Sequence, residues 1–150
     1  MSFSALLAQA DPGAAPFNRP DINWHAVAPE LVLLGWGAFV TIVDLVGLER
    51  TRRFMPSLTG IGFLLAMVPV LTLWSTYAAD PVGVAAVGDS FIVDRYALVL
   101  KGLFLLSAYV LVLMSTNYMA EGDYYDSEYY QLIAAAVLGM LVMALSLIHI

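Results

Sequence analysis

No cysteine occurs among the 150 residues. That excludes disulfide staples, Cys-ligated zinc or iron–sulfur clusters and thiol nucleophiles, and it leaves the redox compartment unreadable. Charge is scarce too: Asp, Glu, Lys and Arg make up 12% of the chain, about half their share in a water-soluble domain. Only 6 residues are Lys or Arg and they form no basic stripe, so composition gives no support to a nucleic-acid partner. Phosphate loops, dinucleotide fingerprints and nucleophile elbows are also missing, which places any redox chemistry of an enzyme containing this chain on another polypeptide. At the amino terminus, Phe3–Ala8 is too short an apolar core for a cleaved leader and has no Lys or Arg ahead of it. The first long hydrophobic run is left to direct insertion.

What the chain has in quantity is apolar surface. Hydrophobic residues make up 61% and the mean hydropathy is +0.84, so lipid is the solvent that suits its exterior. A helix needs roughly 20 apolar residues to cross about 30 Å of hydrocarbon, and four runs qualify: Ala26–Val46, Ser57–Tyr77, Tyr96–Thr116 and Leu132–Ile150. Backbone N–H and C=O groups must pair within the segment in lipid, so these runs become helices. The alternating ten-residue strands of a β-barrel are absent from the sequence. The expected fold is therefore an all-α integral membrane protein of about four transmembrane helices.

Between the runs lie Asp11–Asn23, rich in Pro, Gly, Ala and Asn; Leu48–Pro56, with Arg50, Arg52 and Arg53; Ala78–Asp94, whose Val82–Val93 stretch suits a small extramembrane hairpin; and the acidic, Tyr-rich Asn117–Glu128. The acids gather in these connections, so the net charge of −6 says little about the fold. Arginine near a short loop is retained on the cytoplasmic side. The Arg50–Arg53 loop is then expected inside, with the amino terminus and Ala78–Asp94 outside and Asn117–Glu128 inside. Trp24, Trp74, Tyr77, Phe91, Tyr96, Tyr118, Tyr124, Tyr125, Tyr129 and Tyr130 gather at the proposed helix ends, where amphipathic rings favour the headgroup layer. Pro69 removes a hydrogen bond to the Leu65 carbonyl, so a bend is expected there, as a packing kink or a functional one. Gly62 with Ala66 and Ala135 with Gly139 have the small-xxx-small spacing that permits close helix contact. Met114, Met140 and Met143 are expected to fill gaps between helices.

The candidates for chemistry are the charges inside the spans, where an ionisable group costs at least about 2.5–3.5 kcal/mol at the bilayer centre. They are Glu30, Asp44 and Lys101. Glu30 and Asp44 fall within about 40° of one helix face and about 21 Å apart along it, which suits an acidic face turned toward a partner helix or proton path, or two carboxylates each in its own headgroup layer. Lys101 lies roughly 8 Å below the start of its span. It either snorkels toward the headgroups or serves as a proton-relay or ion-pair residue in a polar channel. His25 stands at a span entrance and His149 near the carboxyl end, an arrangement that makes no metal site.

Four stretches together carry a family resemblance: WHAVAPELVLL from Trp24 to Leu34, Val43-Asp44-Leu45, FIVDRYALVLK from Phe91 to Lys101, and SEYYQL followed by Leu138-Gly139-Met140-Leu141-Val142-Met143-Ala144. In this order and spacing the chain after about residue 22 resembles the beginning of subunit N of the proton-translocating NADH-quinone oxidoreductase, bacterial respiratory complex I. The resemblance implies the amino-terminal part of an antiporter-like proton-translocating subunit, with three peripheral helices preceding two inverted repeats of five. Residues 1–23 would then be an extramembrane segment, 24–116 the peripheral helices, 117–128 a cytoplasmic loop and 129–150 the first repeat helix, in the bacterial inner membrane. Other complex I membrane subunits and the lipid bilayer would be the partners, with NADH, FMN, iron–sulfur clusters and quinone on other subunits. The family's proton-transfer residues lie in its fifth, seventh, eighth and twelfth helices and have no counterpart here, so a chain ending at Ile150 is expected not to pump alone. It is also expected to be truncated, since it stops inside an apolar run, and Leu145–Ile150 resembles an in-frame sequencing adapter and is expected to be wholly or partly non-native. Two other classes stay open: a subunit of a multisubunit cation/proton antiporter, whose large subunits are similar to complex I pumps, and a free-standing four-helix transporter or scaffold.

Overall fold

A computed structural model describes residues 22–47, 54–77, 84–87, 91–121 and 127–146. Four long helices dominate it: α1 (Ala28–Val46), α2 (Met55–Tyr77), α3 (Arg95–Glu121) and α4 (Ser127–Ser146). All four are long and apolar enough to cross a bilayer, so the all-α, four-span expectation is met. Two short strands, β1 (Val84–Val87) and β2 (Phe91–Val93), pair antiparallel in the connection from α2 to α3, with Val84 opposite Val93 and Ala85 opposite Ile92. This is the small hairpin expected within Val82–Val93.

Local chemistry starts and stops the helices. Pro29 occupies the first turn of α1, where its missing N–H costs nothing. At the other end of α1 the Gly47 N–H donates to the Val43 carbonyl at 2.8 Å in an extended cap. Asp94 caps α3: its carbonyl accepts the first intrahelical bond, from the Leu98 N–H at 3.1 Å, and its Oδ1 accepts the Ala97 N–H at 2.7 Å, so one otherwise orphaned donor is satisfied. α2 runs on through Pro69. Beyond it the Thr72 hydroxyl returns to the Pro69 carbonyl, and those of Ser75 and Thr76 to Thr72.

Each helix packs on its neighbour in the chain and α4 closes back on α1. α2 and α4 touch across one diagonal, whereas α1 and α3 stand apart on the other. The helices alternate in direction. His25, just ahead of α1, lies against Tyr77 and 3.3 Å from the Thr72 hydroxyl at the end of α2, and the hairpin, which packs on α4, sits at the same end. We call this the hairpin end and the opposite one the far end. The interior is filled by Leu33 and Val40 of α1, Phe63, Ala66, Val70 and Leu73 of α2, Leu98, Leu105 and Val112 of α3, and Val137 and Leu141 of α4.

Several sequence expectations are corrected here. Helix α3 continues to Glu121 and α4 begins at Ser127, so much of the stretch expected as an acidic loop is helix. Hydropathy marks where hydrocarbon stops, whereas a helix ends where its hydrogen bonding stops: the 27 residues of α3 span about 40 Å, more than the apolar slab is thick. Met114, Met140 and Met143 do not fill gaps; they are exposed on the outside of the bundle, as apolar side chains bathed in lipid can be. Gly62 and Ala66 are buried in the packing, but Ala135 and Gly139 face outward and a Cβ on Gly139 would meet nothing within 4 Å. Of the rings expected at interfaces, Trp24, Trp74, Tyr96, Tyr118 and Tyr129 are exposed, but Tyr130 is buried edge-on to Tyr129. Residues 48–53, 122–126 and 147–150, with the arginine loop, Tyr124, Tyr125 and His149, lie outside the described residues.

Candidate functional site

The three charged candidates fall on the inward stripes of their helices. In α1 the residues Glu30, Leu33, Gly37, Val40 and Asp44 recur at alternating intervals of three and four, the spacing of one helix face. In α3 the same rhythm runs Leu98, Lys101, Leu105, Ala108 and Val112, of which every member is buried. Lys101 therefore takes a position that a leucine would fill. That spacing was legible in the sequence and points the side chain inward; depth below the surface, taken alone, left snorkelling open.

Lys101 is fully buried and its Nζ lies 2.7 Å from Oε1 of Glu30, itself 5% exposed. The ammonium does not extend to the headgroups. It reaches across the bundle from α3 to α1, the two helices that stand apart, and links them directly. Glu30 is the third residue of α1 and Lys101 the seventh of α3, which sets the pair about 3 Å and about 9 Å from the respective helix starts, toward the hairpin end. Two opposite charges in contact relieve each other's desolvation, whereas either alone in that place would be costly. The arrangement can hold a proton on either member and exchange one between them; it contains no nucleophile with a base beside it.

Asp44 is not part of this pair. It lies toward the far end, where its Oδ2 accepts the Ser127 hydroxyl at 2.7 Å and the Gln131 amide at 3.1 Å. Neither partner was singled out in the sequence. Their spacing of four places both on one face of α4, but only the fold shows that this face meets α1. The two acids of α1 thus point to different helices, and the structure does not bring all three charged candidates together.

A recess of about 230 Å³ opens between α1, α2 and α4, lined in part by Leu33, Trp36, Gly37, Thr41, Gln131 and Ala134. Most of its polar groups are engaged: the Trp36 indole N–H donates to the Leu58 carbonyl at 2.8 Å, the Thr41 hydroxyl to Gly37, and Gln131 to Asp44, whereas the buried Thr59 hydroxyl, which also lines the recess, has no hydrogen-bond partner among the described residues. Neither Glu30 nor Lys101 lines this recess. Among the described residues no three His, Cys, Asp or Glu converge as metal ligands.

Fold and site together define a multi-pass helical membrane protein with an ion pair buried inside its bundle. The known proteins it resembles are more specific. It is 30% identical over 126 residues to NADH-quinone oxidoreductase subunit N of Anoxybacillus flavithermus, covering 83% of this chain and 24% of the relative. It is 29% identical over 123 residues to the subunit N of Trichlorobacter lovleyi, with 82% and 24% covered, and 32% identical over 127 residues to NAD(P)H-quinone oxidoreductase subunit 2 of a Synechococcus strain, with 83% and 23% covered. The resemblance to subunit N read from the sequence is borne out. The chain spans about a quarter of the length of the curated relatives it matches. No family model and no solved structure matches it.

Proposed function

We propose that this chain is part of a membrane subunit of a proton-translocating NADH-quinone oxidoreductase, in which quinone reduction is coupled to proton transfer across the membrane. The observation that carries this reading is the alignment with subunit N proteins over more than four-fifths of the chain. Four helices of membrane-crossing length support it. On this reading α1 to α3 are the peripheral helices of an antiporter-like subunit and α4 is the first helix of its first repeat. The principal proton-transfer residues would lie in parts of the relatives that this chain does not span. NADH, FMN, iron–sulfur clusters and quinone would be handled by partner subunits; this chain has no cysteine with which to hold a cluster. Its own contribution would be structural and electrostatic. On this reading the Glu30–Lys101 pair would be a proton-holding site within the bundle, and Asp44 lies on the same face of α1 toward the other surface.

Affinity-tagged chain expressed in its native host should co-purify in mild detergent with large partner subunits and with NADH-dependent quinone reduction. Recovery as a homo-oligomer lacking that activity would replace the proposal with a free-standing transporter or scaffold. We also propose an inner-membrane orientation with the amino terminus outside and the Arg50–Arg53 loop in the cytoplasm, from arginine retention. Because no native cysteine interferes, single cysteines at Trp24 and Phe54 report it directly. A membrane-impermeant maleimide added to intact cells should label W24C and leave F54C unlabelled; the reverse pattern would invert the topology.

A further inference from the structure

We infer that α1 is a tie rod between α3 and α4, anchored to α3 by Glu30 toward the hairpin end and to α4 by Asp44 toward the far end. Packing alone is a weak guide to where α4 should sit. Lipid tails are as apolar as leucine, so no hydrophobic drive selects one rotation or depth of a lipid-embedded helix over its neighbours. Directional hydrogen bonds do select one. Ser127 and Gln131 are one turn apart on α4, and both donate to the same oxygen, Asp44 Oδ2. Sliding α4 by one residue would turn it by about 100° and move it by about 1.5 Å, and both donors would lose that oxygen. A single acceptor shared by two donors a turn apart therefore specifies depth and rotation together.

The other anchor is independent. Glu30 and Asp44 are separated by about 21 Å along α1 and engage different helices. One continuous helix thus joins the two anchors. Asp44 acts in this device as a positioning residue, through the placement of α4. The inference stands apart from the NADH-quinone oxidoreductase reading, since it needs only the four helices.

Spin-label distance measurements in detergent or lipid test it, with labels on exposed positions only. The I42C/L132C pair reports α1 against α4 toward the far end, and the L31C/V99C pair reports α1 against α3 toward the hairpin end; all four sites are exposed. Asp44→Ala should shift or broaden the far-end distance by about 1.5 Å or more, the rise of one residue, and leave the hairpin-end distance as in the parent. Asp44→Asn, which keeps an acceptor oxygen, should restore the narrow far-end distribution. A far-end distance unchanged by Asp44→Ala would overturn the inference, as would equal loosening at both ends. Should Asp44→Ala not accumulate, the S127A/Q131A double variant removes both donors and is judged by the same distances.

Discussion

Replacing Lys101 by methionine should destabilise the bundle by about 3–5 kcal/mol, the cost of leaving one member of a buried ion pair without the other. Methionine keeps the apolar stem and comparable length of this fully buried side chain, so the change isolates the charge. What remains is the Glu30 carboxylate, 5% exposed, with no positive partner among the described residues. Replacing Glu30 by methionine as well should recover most of the loss, since two apolar side chains of similar volume often match a buried ion pair. Denaturant titration in mixed micelles with far-UV circular dichroism would measure both variants. Equal destabilisation by the single and double variants would show that packing holds α1 to α3. The pair of variants also separates two roles. If Glu30 and Lys101 handle protons as proposed, the double variant regains stability while NADH-driven proton transfer by the assembled complex stays reduced; if the pair only braces, transfer returns with stability.

A second large effect is expected at Gly62. A Cβ built there collides with the Trp36 indole, which lies across α2 with its N–H donating to the Leu58 carbonyl. The contact involves the ring carbon nearest the Trp36 backbone, so a small swing of the ring tip cannot relieve it. Gly62→Ala should therefore push the indole out of the α1–α2 seam, at about 1–3 kcal/mol for overpacking plus about 1 kcal/mol for the lost hydrogen bond. Gly60 and Gly102 are the controls. A Cβ at Gly60 would meet Tyr109 at an ordinary 3.5 Å, and one at Gly102 would meet nothing within 4 Å, so alanine at either should leave the melting temperature unchanged or raised. Thermal melting with tryptophan emission, in a background where Trp24 and Trp74 are phenylalanine, would report stability and Trp36 environment together. A Gly62→Ala variant with parental melting and emission would show that α1 and α2 shift apart at no cost.

The spans themselves were legible in the sequence because their cause is local. Backbone polar groups in hydrocarbon have only their own segment to pair with, so composition over about twenty residues decides the helix. The hairpin was legible for a similar reason, with Gly83 and Gly88 bracketing a short apolar stretch. Helix ends were less so: the polar Asn117 marks a drop in hydropathy, but α3 continues unbroken to Glu121. Met114, Met140 and Met143 show the same limit from the other side, since hydropathy scores an apolar residue alike whether it faces lipid or another helix.

Residue order and hydropathy alone were enough to read the solvent, the number of spans, the resemblance to subunit N, and the three ionisable residues that would be expensive in lipid. The sequence even held the rhythm that turns Lys101 inward. Only the tertiary structure decided which groups meet: Lys101 with Glu30 on the diagonal helix, and Asp44 with Ser127 and Gln131 more than eighty residues away. The physical reason is that a charge in a low-dielectric interior acts through whatever stands within a few ångströms, and those neighbours come from distant parts of the chain. Helix formation is a property of each segment in its solvent, whereas pairing is a property of how the segments are arranged.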